Sequence, residues 1–138
     1  MNNKVLGTTF ENEVCDILAK HGCWVHFITP DARGAQPFDI IAVKNDIAYA
    51  IECKTLALTK ASFSISRLED NQKLAFQRWN RCGNHNTLIF VKQGNNIFII
   101  PYAQLSANGR VRLKDYMNSE AYRYEDFYIY GYGGFFIK

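Results

Sequence analysis

Gln36-Pro37-Phe38-Asp39-Ile40-Ile41-Ala42-Val43-Lys44-Asn45-Asp46-Ile47-Ala48-Tyr49-Ala50-Ile51-Glu52-Cys53-Lys54 decides how the rest of the chain is read. Two apolar, β-branched runs flank Asn45-Asp46, a pair suited to a tight turn, so the stretch predicts a β-hairpin. With those two residues as the loop, Lys44 faces Ile47 and Val43 faces Ala48. Continuing the ladder sets Asp39 opposite Glu52. Lys54 lies two residues beyond Glu52, and the strand period of two returns it to the same face. One face of an otherwise oily hairpin therefore carries two carboxylates and an ammonium.

Such an arrangement opposes stability. Like charges directly across a strand pair repel, by about 3 kcal/mol at roughly 5 Å and an effective dielectric of about 20. Lys54 offsets part of this, and a divalent cation gripped by both carboxylates would offset more. Oxygen ligands of this kind suit Mg²⁺ or Mn²⁺. A solvated charge cluster at a strand end is the alternative reading.

Pro37-Phe38-Asp39 followed by Glu52-Cys53-Lys54 resembles the PD-(D/E)XK nuclease superfamily, with the usual Pro-Asp dipeptide spread by Phe38. Within it the chain is most similar to the Holliday-junction resolvases, both the archaeal type and the RecU type, over residues 7–100. The resemblance implies a restriction-endonuclease-like fold and an endonuclease that hydrolyses DNA. It implies Mg²⁺ or Mn²⁺ held by Asp39, Glu52, the backbone carbonyl of Cys53 and a glutamate of the first helix. Lys54 would serve the attacking water or the phosphate. Branched DNA, a homodimer, and a role in recombination and repair also follow from the resemblance alone. A restriction-like or repair nuclease on unbranched DNA, and a DNA-binding module without catalysis, stay open as alternatives.

The chain has 138 residues, enough for one domain with a real core, and 48% of them are hydrophobic, which excludes disorder. We expect a single nuclease-like domain over residues 1–138. The formal charge of +3 permits a nucleic-acid partner without requiring one. Cys15, Cys23, Cys53 and Cys82 form no Cys-x-x-Cys pair and no zinc spacing with His21, His26 or His85. They read as thiols of a reducing compartment. No signal-peptide pattern and no membrane-length apolar run is present, so a cytoplasmic protein away from membranes is expected.

Thr8 and Glu11 fit a capping box that opens a helix running to about His21. Phe10, Val14, Ile17, Leu18 and His21 make its apolar stripe, and Glu13 falls at the border. Gly7, Phe10, Glu13 and Leu18 match the pattern of the resembling families, which assigns Glu13 to the metal site. Residues 23–29 read as a strand leading into a polar loop, where Arg33 beside Gly34 can approach a phosphate. The loop lacks the serine or threonine common in archaeal resolvases, and it is short beside the RecU stalk.

Residues 55–64 run along the rim of the expected site and carry Lys60. Ser66 and Glu69 suggest a second capping box, opening a helix that ends before Gly83 and carries Leu68, Ala75, Phe76 and Trp79 on its apolar side. Gln72 lies within that stripe and needs a polar partner on the sheet. In the resembling families a glutamine on this helix supports the active site. Lys60 and Arg67, with Arg33, are the expected DNA contacts. Residues 87–92 and 97–100 predict a hairpin buried on both faces, and residues 101–105 a short helical turn. Asn84-His85-Asn86 lacks the second histidine of an HNH nuclease and is set aside. The aromatic tail from Tyr116 suits closing the sheet, a dimer interface or base stacking. The whole pattern implies an α/β sandwich with a mixed central sheet flanked by helices.

Overall fold

The structure, a computed structural model, describes residues 9–29, 37–132 and 137. Helix α1 (Thr9–Lys20) is followed by strands β1 (Trp24–Phe27), β2 (Ile40–Lys44) and β3 (Ile47–Thr55). A short strand β4 (Ser62–Ser64) and a 3₁₀ turn (Ile65–Arg67) lead into helix α2 (Asp70–Arg81). Strands β5 (Thr87–Gln93) and β6 (Asn96–Pro101), helix α3 (Tyr102–Asn108) and strand β7 (Arg110–Arg112) come next. A second 3₁₀ turn (Leu113–Asp115) precedes β8 (Tyr122–Tyr124) and β9 (Phe127–Gly131).

Seven strands form one mixed sheet in the order β1-β2-β3-β5-β6-β9-β8, and β4 pairs with β7 in a separate ribbon. The expected hairpin forms in the expected register: Lys44 faces Ile47 and Ile40 faces Ile51. Its turn residues Asn45 and Asp46 take φ of 52° and 66°, the left-handed pair that matches the natural twist of a hairpin. β3 then runs parallel to β5, a pairing that requires a crossover, and α2 supplies it.

Period-two alternation divides the core between the two faces. Ile40, Ala42, Ile51, Cys53 and Phe90 pack under α1 with Phe10, Val14, Ile17 and Leu18. Ala50, Ile89, Val91, Phe98 and Ile100 pack on the other side with Phe76 of α2 and Leu105 of α3. Each such buried aliphatic or aromatic side chain contributes on the order of 2 kcal/mol. The aromatic tail, as far as it is described, closes the sheet. β9 lies parallel to β6, with Ile129 in the α1 core and Tyr130 against the α2 core. Residues 133–136 lie outside the described range. Among the described residues no helix is long and apolar enough to cross a membrane.

Two local expectations need correction. Ser66 does not cap α2: the Ser64 hydroxyl accepts from the Ser66 amide and caps the 3₁₀ turn instead. Leu68 is extended, and the helix restarts after Glu69, whose capping-box partner is Gln72. The expected cap at Thr8 lies outside the described residues. Asn84, from the discarded nuclease-like tripeptide, donates to the Ala48 carbonyl at 2.9 Å and accepts from the Asn86 amide at 2.8 Å. Its role is to shape a turn.

Candidate active site

The site grows from the place where β2 and β3 part. The regular ladder ends at the Ile40–Ile51 pair. The Asp39 amide donates to the Ile51 carbonyl at 3.0 Å, one residue off the expected Asp39–Glu52 pairing, and the Asp39 carbonyl accepts from Ile28 at 2.8 Å. The Cys53 amide therefore donates to the Asp39 carboxylate, at 2.8 Å, in place of a backbone carbonyl. In a strand the N–H and C=O of one residue point to the same side, so the Cys53 carbonyl shares this opened edge.

Glu52 is only 3% exposed. One of its carboxylate oxygens, Oε2, accepts from Gln72 Nε2 at 2.8 Å and lies 3.6 Å from Lys54 Nζ. The other, Oε1, is buried with no hydrogen-bond partner among the described residues. Burial, and then the charge of Asp39, push the Glu52 pKa up to about 9, with Lys54 pulling the other way. Gln72 is held from behind, its Oε1 accepting from the Glu69 amide at 2.9 Å. The capping box of α2 thus fixes the amide that fixes Glu52.

Four of the expected residues, Asp39, Glu52, Lys54 and Gln72, are brought together. Glu13 is not. It forms an ion pair with Lys92 at 3.1 Å, next to the rings of Phe10 and Phe127. The acid of α1 that reaches the site is Glu11, close enough to feel the charges of Asp39 and Lys54. Its pKa is raised, chiefly by burial, and its Oε2 is buried without a partner among the described residues. Both glutamates flank the α1 stripe, about 80° to either side of its centre at 100° per residue, so periodicity could not choose between them. In the sequence Glu11 carries only the signature of a capping residue, three positions after Thr8.

The Cys53 thiol points into the α1 core. Burial first, then the charges of Asp39, Glu11 and Glu52, hold its pKa well above the usual value, so it is no nucleophile. Lys60 and Arg67 lie exposed along the rim, and Arg67 Nη2 donates to the Thr55 carbonyl at 2.9 Å. Arg33 lies outside the described residues.

Neighbouring buried carboxylates and two orphaned carboxylate oxygens fit a hard divalent cation. Among the described residues no three Asp, Glu, His or Cys side chains are grouped closely enough to hold a metal by themselves.

No curated protein matches the chain. Among solved structures it is similar to the 1.6 Å structure of Archaeoglobus fulgidus Hjc, a Holliday junction resolvase from an archaeal hyperthermophile. The TM-score is 0.54 at 19% identity, over 70% of this chain and 73% of the other, which is a likeness of fold. The family model for the archaeal Holliday junction resolvase (hjc) matches residues 2–128. With nearly the whole chain inside that match, this protein belongs to the archaeal Holliday junction resolvase family and is a junction-resolving nuclease.

Proposed function

We propose that this nuclease cuts branched DNA with a divalent cation, Mg²⁺ or Mn²⁺, held at the β2–β3 fork. The observation that carries the proposal is the buried pair Asp39 and Glu52, with Lys54 Nζ 3.6 Å from a Glu52 oxygen. Asp39 and Glu52 would hold the ion, with the Cys53 carbonyl on the same edge and Glu11 contributing directly or through water. When bound, the ion supplies charge neutralisation at the phosphate and a more acidic water.

The chain's own groups do the positioning. Gln72 restrains Glu52 through its 2.8 Å hydrogen bond to Oε2. Lys54 presents its ammonium beside Glu52, where it orients the attacking water or stabilises charge gathering on the phosphate. The water oxygen bonds to phosphorus and gives up a proton to solvent as the bond to the 3′ oxygen breaks, and the leaving oxygen takes a proton from solvent. His26 stacks on Trp24 in β1 and His21 contacts the Ile137 carbonyl, so neither stands at the fork.

Paired nicks across a four-way junction call for two such sites, and we assign the working form as a homodimer of a single-domain chain. Four free cysteines fit a reducing, cytoplasmic setting. The test is cleavage of a labelled four-way junction, linear duplex and flap, with Mg²⁺, with Mn²⁺ and with chelator. We expect junction nicking that requires the ion. Undiminished cleavage in chelator would refute the metal assignment.

A further inference from the structure

A second polar hollow, of about 260 Å³, opens where the β4–β7 ribbon meets the chain leaving β3. Its lining includes Lys60, Arg67 and Arg110 with the hydroxyl-bearing Ser62, Ser64 and Ser66. The ribbon builds this by alternation. Phe63 and Val111 face each other and are buried, so Ser64 and its partner Arg110 stand on the outward face. Arg112, across from Ser62, is turned to Asp115 at 3.4 Å. Among the described residues Lys60, Arg67 and Arg110 make no ion pair with any carboxylate. Three uncompensated cations around one hollow, with hydroxyl donors between them, suit an anion with several oxygens. The guanidinium fork favours phosphate geometry in particular.

The hollow is also firmly held. Gln93 Nε2 donates to the carbonyls of Ala57 at 2.8 Å and Lys60 at 2.7 Å, fixing the turn that carries Lys60. The Ile65 amide donates to Gly109, and the Leu113 amide to Ala61, at the two ends of the ribbon. Its position relative to the fork is set by β3. Arg67 is tied to Thr55, and Leu56 is part of the wall, one and two residues beyond Lys54.

We propose that this hollow binds a backbone phosphate of the substrate strand close to the one cleaved, with Arg110 as its principal ligand. The inference rests on the nuclease reading above and adds a residue that no motif of the sequence marks. It is tested by junction affinity in chelator across a series of KCl concentrations, for the wild type, Arg110→Ala, Arg110→Lys and Arg112→Ala. Arg110→Ala should weaken binding about tenfold and reduce the salt slope by about one. Arg110→Lys should keep the slope, and Arg112→Ala should stay within about twofold of wild type, because Asp115 already occupies that arginine. Should Arg110→Ala fail to fold, Lys60→Ala must show the reduced slope. A folded Arg110→Ala or Lys60→Ala with wild-type affinity and slope overturns the phosphate site. If the wild type cleaves junctions normally in that case, the nuclease reading stands. If the wild type binds no DNA, both fall.

Discussion

Two hairpins of this protein, β2–β3 and β5–β6, share a design and differ in one respect. Both turn on two residues, Asn45-Asp46 in the first and Gly94-Asn95 in the second, and both run through the sheet centre as nearly unbroken apolar strands. The β5–β6 ladder stays paired from Gln93–Asn96 to Leu88–Pro101, and its apolar side chains from Leu88 to Val91 and Ile97 to Ile100 are buried under both helix layers. The β2–β3 ladder stops before Asp39. There the Cys53 amide turns to a carboxylate, and polar groups from the two faces, Glu11 from α1 and Gln72 from α2, converge on one edge. One hairpin supplies stability; the other spends some of it on an opening in the sheet.

The largest expected effect separates chemistry from fold. Asp39→Asn or Lys54→Ala should lower junction cleavage by at least about 1,000-fold, which corresponds to about 4 kcal/mol of transition-state stabilisation. Junction affinity and melting temperature should stay near wild type. Loss of folding in both variants would show that the fork is structural.

The converse applies to the second hairpin. Phe90 is fully buried in the α1 core, so Phe90→Ala should cost about 3–5 kcal/mol in urea unfolding. The cleavage rate of whatever protein remains folded should hardly change. A specific rate loss at unchanged stability would contradict the division of labour.

Within α1 the contrast is finer. Glu11→Gln should reduce cleavage about 100-fold, whereas Glu13→Gln, which only disturbs the pair with Lys92, should stay within a few-fold. Reversal of that order would restore Glu13 to the site. Single-turnover rates at saturating Mg²⁺ and at low Mg²⁺ would decide it.

The smallest effect concerns stability without metal. The Glu52 carboxyl keeps a proton in the folded state up to about pH 9, while the unfolded chain releases it near the ordinary value of 4.5. Between those limits the folded protein binds the extra proton. The stabilisation is full below about pH 4.5 and is lost as pH rises toward 9. In chelator, Glu52→Gln should therefore flatten the fall in melting temperature across this window and raise it at its alkaline end. An unchanged pH profile would remove Glu52 as its source.

The sequence by itself determined the hairpin, its register, and the meeting of Asp39, Glu52 and Lys54. Those follow from a strand period of two and a turn of two residues, both local rules. It also marked Gln72, because an amide in an apolar helix stripe demands a partner, and Glu52 is that partner. Only the tertiary structure chose Glu11 over Glu13, since the two flank their helix symmetrically and the crossing of α1 over the sheet decides which border meets the fork. Arg110 was likewise illegible. It comes from a short strand 43 positions after Arg67, and only long-range pairing of β4 with β7 brings it to the rim. Local periodicity carries information over a few residues, whereas a site assembled from distant segments depends on how whole elements pack.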